Sequence, residues 1–178
     1  VRIFQFTSEQ VVPQAVEPAF AFFANAHNLE LLTPPWLHFE ILTPGPIAMH
    51  KGTRIDYRLK LHGLPLYWQS EITLWDPPRC FVDEQRRGPY RRWVHAHEFA
   101  AQGESTVVCD RVQYAVFGGG LVQWLFVEPD LKRIFAYRGD KLREAFAADF
   151  QNRNAATFSG LRKEPERILT GATQVDHH

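Results

Sequence analysis

A chain of 178 residues with 45% hydrophobic and 22% charged content is sized for one globular domain. Twenty Lys and Arg are matched by twenty Asp and Glu, which leaves no overall field to gather phosphates and excludes nucleic acid as an expected partner. No run approaches the roughly 18 consecutive apolar residues of a membrane span, and the start lacks a charged-then-apolar signal pattern, so stable membrane insertion is excluded and a cytoplasmic location expected.

In chain order, Ile3, Phe4 and Phe6 alternate with polar residues up to Val12-Pro13, which predicts a first strand. Glu17-Pro18 opens a short helix carrying Phe20, Phe23 and Ala24 at helical spacing, and Asn28 to Leu32 forms another that Thr33-Pro34-Pro35 must end. From Trp36 to Phe117 six alternating runs follow: Leu37 to Leu42, Arg54 to Leu61, Leu66 to Trp75, Cys80 to Gln85, Arg92 to Ala100 and Thr106 to Val116. Pro and Gly clusters separate them, among them Pro44-Gly45-Pro46, Gly63-Leu64-Pro65 and Gly88-Pro89, and such short connections predict an antiparallel meander. Gly118-Gly119-Gly120 then breaks the pattern. Leu131, Ile134, Phe135, Arg138, Leu142, Ala145 and Phe146 recur at three- and four-residue steps of an amphipathic helix, with a start or kink expected at Pro129. The polar stretch 151–178, broken by Gly160, Pro165 and Gly171, is expected to be a poorly ordered tail, so the domain is drawn over 1–150.

Period two sorts each strand into faces. Ile55, Tyr57, Leu59 and Leu61 oppose Arg54, Asp56, Arg58 and Lys60, which identifies the inward set. The matching inward sets are Leu66, Trp68, Ser70 and Ile72; Phe81, Asp83 and Gln85; Trp93, His95, His97 and Phe99; and Val108, Asp110, Val112 and Tyr114. A turn at Gly88-Pro89 brings His95 opposite the region of Asp83, and one at Gln102-Gly103 brings it opposite the region of Asp110. An imidazole between two carboxylates on a buried face has three readings: a hydrogen-bond network that holds register, polar recognition of a mostly apolar ligand, or acid–base catalysis by His95 with Asp83 or Asp110 orienting it. His95 and His97 could also face a cation, but no definite further ligands are in view, so no metal and no cofactor is assigned. Arg86-Arg87-Gly88-Pro89-Tyr90-Arg91-Arg92 is a basic cluster at a hairpin tip, read as a solvated turn that an anionic head group or partner could use. Cys80 and Cys109 fall on the outward face with a strand between them, too far apart for a disulfide.

The order strand, two short helices, six-strand meander and long terminal helix resembles the helix-grip fold of the START and birch-pollen-allergen (SRPBCC) superfamily, over about Val1 to Phe150. Phe81-Val82-Asp83-Glu84-Gln85, Trp93-Val94-His95-Ala96-His97-Glu98-Phe99, Asp110-Arg111-Val112-Gln113-Tyr114 and Ile134-Phe135-Ala136-Tyr137-Arg138 resemble a bacterial ligand-binding branch of it. The resemblance implies an α+β fold, a curved antiparallel sheet of about seven strands wrapped around a long C-terminal helix. It also implies a hydrophobic cavity between sheet and helix for a lipid, quinone, polyketide or aromatic molecule. Tyr57, Trp68, Gln85, Trp93, His97, Tyr114 and Phe135 are the expected ligand contacts. The alternative is a cyclase/dehydratase-type enzyme in which His95, Asp83 and Asp110 move protons. A protein partner is left undetermined.

Overall fold

A computed structural model of the chain describes residues 1–161, with side chains to residue 147. Strand β1 (Phe4–Val12) leads into helices α1 (Val16–Ala24) and α2 (Asn28–Leu32). Ala19, Phe20 and Phe23 of α1 point into the core, as their three- and four-residue spacing requires. Pro34 and Pro35 then end helical pairing, and Pro35–Leu37 forms a single 3₁₀ turn closed by His38 in the left-handed region at φ 45°.

That turn overturns one expectation. The run Leu37 to Leu42 is a strand, β2, only over Glu40–Ile41, because a 3₁₀ turn and a left-handed residue cannot join an extended ladder. The irregular segment that follows brings Ile47 and Met49 back against buried residues of the sheet. The other strands lie close to their expected places: β3 (Arg54–Leu61), β4 (Leu64–Asp76), β5 (Cys80–Arg87), β6 (Arg92–Gln102) and β7 (Ser105–Ala115). Leu64 and Pro65, expected in a turn, begin β4 instead; Gly63 at φ 81° beside His62 at φ 50° makes the reversal, so the chain is already extended by Leu64.

The seven strands form one antiparallel sheet in the order β1-β7-β6-β5-β4-β3-β2. β1 lies against β7 from Phe4↔Tyr114 to Val12↔Thr106, joining the first and last strands. Irregularities at Gln69/Ser70 and Ile72/Leu74 of β4 add the local twist that curves a sheet. His95 stands opposite Asp83 as expected, but across β6 and β7 it is His97 that stands opposite Asp110, while His95 faces Val112. The shift is two residues, so every side chain keeps its face. Cys80 and Cys109 flank Glu98 on either side of β6.

Gly118 turns the chain at φ 84°, where a Cβ would collide with Val122 Cγ2. Helix α3 (Gly119–Val122), a π-helical turn (Gln123–Val127) and helix α4 (Glu128–Leu161) follow without a break. Pro129 has no N–H to give the carbonyl four residues before it, and the wide turn absorbs that loss, so the expected start at Pro129 falls at Glu128. Leu131, Phe135, Arg138, Leu142 and Phe146 are the buried stripe of α4. The helix continues past Phe150 to Leu161; residues 162–178, where the rest of the tail was expected, lie outside the described residues.

The sheet curls over α4, which is the helix-grip arrangement expected from the sequence. Phe20, Phe23, Phe81, Phe99, Leu142 and Phe146 form one packed end, while Val112, Tyr114, Leu131 and Phe135 form another. Among the described residues no helix is long and apolar enough to cross a membrane.

Candidate functional site

Between the inward faces of β3 to β6 and α4 lies a cavity of about 220 Å³. Its walls are mostly apolar: Ile55, Tyr57, Leu59 and Leu61 from β3, Leu66, Trp68 and Ile72 from β4, and Leu131, Ile134 and Phe135 from α4, with Phe23, Leu32, Leu37 and Met49 closing one side. Ser70, Asp83, His95, His97 and Arg138 also reach this wall and form a polar group within it.

Period two aims these side chains at one another. His95 Nε2 donates to Asp110 Oδ1 at 3.0 Å, and His97 Nε2 donates to Asp83 Oδ2 at 3.2 Å. His95 Nδ1 is also 3.7 Å from Asp83 Oδ2, so each carboxylate serves both rings. Asp110 Oδ1 lies 2.8 Å from His97 Nδ1 but out of line for a hydrogen bond, and that nitrogen has no hydrogen-bond partner among the described residues. Arg138 Nη2 approaches Asp110 Oδ1 at 3.6 Å. On the other flank Ser70 Oγ donates to Asp83 Oδ1 at 3.2 Å and accepts from Tyr57 Oη at 2.9 Å and Trp68 Nε1 at 3.1 Å. A continuous chain thus runs from Tyr57 through Ser70, Asp83, the histidines and Asp110 to Arg138.

Rings wall it off from water. Phe81 stacks on His97 at 4.2 Å between centroids, the two imidazoles lie 3.8 Å apart, and the Arg138 guanidinium sits over Phe23 at 5.2 Å and Phe135 at 5.7 Å. Burial by itself would raise both carboxyls. For Asp110 the Arg138 charge, the bond from His95 and the nearby His97 charge outweigh it and hold the group well below the ordinary carboxylate range. For Asp83 the bond from His97, the two imidazole charges and Ser70 likewise win, and its value is lowered.

The histidines diverge. Burial and the neighbouring charge of His97 push His95 down against its two carboxylates, whereas for His97 burial is overcome by the close Asp110 carboxylate and the bond to Asp83, which push it up. With both carboxylates ionised, His97 takes up a proton before His95 does, and that proton and the Arg138 charge together balance the two carboxylates. Burial and the Asp83 charge hold the Tyr57 phenol well above its usual value. Asp83, His95 and His97 offer ligand atoms within 4.8 Å of one another and could hold a small divalent cation, the third ligand being one the sequence reading left undefined.

The residues expected from the sequence divide. Tyr57, Trp68, Asp83, Trp93, His95, His97 and Phe135 line the cavity. Asp110 stands behind the histidines, 1% exposed. Gln85 lies outside the lining: its amide donates to Tyr90 O at 2.7 Å and its carbonyl accepts from Tyr90 N at 3.3 Å, so it pins the β5–β6 turn. Tyr114 is buried against Phe4 and Trp93, also outside the lining. Arg138 and Ser70 are not among the expected contacts. The signal for Arg138 is its place in the stripe Leu131, Phe135, Arg138, Leu142, where a charge on an otherwise apolar helix face requires a buried partner.

No protein-family model matches this sequence, and no curated protein matches it. Solved structures do. A major latex-like protein of Panax ginseng is 10% identical, with a TM-score of 0.62 over 81% of this chain and 97% of its own. A protein of Thermus thermophilus is 22% identical, with a TM-score of 0.62 over 82% and 99%. The Zhui aromatase/cyclase from a Streptomyces species is 15% identical, with a TM-score of 0.61 over 79% and 92%. At these identities the likeness establishes the fold and leaves the chemistry to the site itself.

Proposed function

We propose that this chain binds a small, mainly hydrophobic molecule, a lipid, quinone, polyketide or aromatic, bearing one hydrogen-bond acceptor or anionic group. Its apolar body lies among Trp68, Trp93, Leu59 and Ile134, and its polar group meets Arg138 and His97. One observation carries the reading. His97 and Arg138 line a mostly apolar cavity, and the buried Arg138 Nε has no hydrogen-bond partner among the described residues. An unsatisfied buried donor costs about 1–3 kcal/mol, which an acceptor on a ligand would recover. The test is a thermal-shift series of aromatic and alkyl carboxylates beside their methyl esters. The carboxylates should raise the melting temperature more than the esters, and Arg138→Met should erase the difference. Equal shifts for acid and ester in the native chain would refute the reading.

A second reading is favoured by the opposite displacement of two imidazoles 3.8 Å apart. Neutral His95 is suited to accept a proton from an acidic C–H or O–H of the bound molecule, and protonated His97 to donate one to a departing or developing oxyanion, the pairing that cyclisation and dehydration need. A neighbour in fold is an aromatase/cyclase. In this reading His95→Gln abolishes turnover while ligand binding persists; binding and turnover that survive together would remove His95 from the chemistry.

A further inference from the structure

We propose that the end of the sheet carrying the β3–β4 and β5–β6 turns docks on an anionic lipid bilayer. Several of the most exposed large apolar residues lie there: Leu64 at the first turn is 68% exposed, and Phe117, Leu121 and Trp124 on the connection from β7 to α4 are 59%, 66% and 65% exposed. Leu121, Trp124 and Leu125 fall at i, i+3 and i+4, so they share one outward face of the α3 and π-turn segment, while Val127 packs against the core. Phe126 extends the face to the β3–β4 turn, its ring 6.1 Å from that of His62.

Arginines border this apolar face. The Arg91 guanidinium lies 4.7 Å over the Phe117 ring, and Arg2 Nη1 is 3.4 Å from the Cβ position of Gly120. Neither makes a salt bridge among the described residues. The nearby acids are engaged, Glu128 with Lys132 and Gln123 and Asp130 with His62. An exposed contiguous apolar face signals a binding surface. Trp, Leu and Phe beside unpaired arginines match the interfacial zone of a membrane, where rings sink to the headgroup level and guanidiniums meet phosphates. Leu61, Pro89 and Tyr90, from the same two turns, line the cavity, so this end is also where the apolar interior comes nearest the docking face.

The test is co-sedimentation of the full chain with vesicles of phosphatidylcholine alone and of equimolar phosphatidylcholine and phosphatidylglycerol. The mixed vesicles should bind the chain about tenfold or more tightly than neutral ones, with loss at high salt. Trp124→Glu with Leu125→Glu should abolish binding, and Arg91→Glu should weaken it about fivefold or more, at unchanged melting temperature because these side chains are exposed. Absence of binding to the mixed vesicles, binding that survives the double substitution, or a dimer in analytical ultracentrifugation that the double substitution dissolves would overturn the proposal.

Discussion

Replacing Arg138 by Met keeps an unbranched apolar stem against Phe23 and Phe135 and removes the guanidinium 3.6 Å from Asp110. At an effective dielectric near 20, two unit charges at that separation attract by about 4–5 kcal/mol. The substitution recovers the desolvation of the guanidinium, and His97 remains beside the carboxylate, so a net loss of about 2–4 kcal/mol is expected, near the cost of breaking a buried pair. Denaturant unfolding followed by tryptophan fluorescence measures it, and a cycle with Asp110→Asn should return a coupling of about 1–3 kcal/mol. Acid supplies a second check. The depressed Asp110 carboxyl contributes stability that is present above its unfolded value near about 4 and is lost as pH falls through its folded value. Loss of Arg138 raises the folded value, so the gap between native and substituted chains should be full at neutral pH and close on acidification. A loss below about 0.5 kcal/mol with no coupling would show that Arg138 and Asp110 do not interact as the geometry requires.

The two histidines should show opposite pH signatures. His97, raised in the fold, contributes stability that is full below about 6.5 and lost as pH rises through its folded value, so the deficit of His97→Gln should be largest in acid. His95, lowered in the fold, contributes stability that is full above about 6.5 and lost on acidification, so the deficit of His95→Gln should be largest in base; unfolding curves between pH 5 and 9 that stay parallel would contradict both. Phe20→Ala removes a ring that meets Trp75, Phe81 and Phe99 at 5.2–5.8 Å and should cost about 3–5 kcal/mol in chemical denaturation. Gly118→Ala should cost about 1–2 kcal/mol through its left-handed backbone and the clash with Val122, and Val122→Ala in the same chain should restore the part due to the clash.

The sheet is legible wherever polarity alternates without interruption. In β3 four charged residues oppose four apolar ones, and the element has the expected bounds. Leu37 to Leu42 carries a similar pattern, but the conformation of Pro35 to His38 decides the outcome, and a left-handed histidine leaves no mark in hydropathy. Asp83 and His95 can be paired from sequence because a short turn sets their register. Asp110 lies two residues from its expected partner, yet still bonds His95, because facing rows on a curved sheet place diagonal neighbours within reach. Gln85 shows the limit of parity. It shares a row with Asp83, but it sits where β5 and β6 part at the turn, so local backbone groups claim its amide. Arg138 is hard to single out because a lone arginine in a helix is ordinarily solvated, and only its alignment with Leu131, Phe135 and Leu142 betrays it.

The union of β1 with β7 has a consequence for how the chain is made. Phe4 and its partner Tyr114 are separated by roughly a hundred residues, so on the ribosome the first strand emerges long before its neighbour exists. Helices α1 and α2 and the hairpins from β3 onward can assemble from near neighbours, while Phe4 and Phe6 wait without cover. Addition of β1 to the open sheet is therefore a late event that depends on a distant encounter, and the interval before it is when this protein is most open to off-pathway strand pairing.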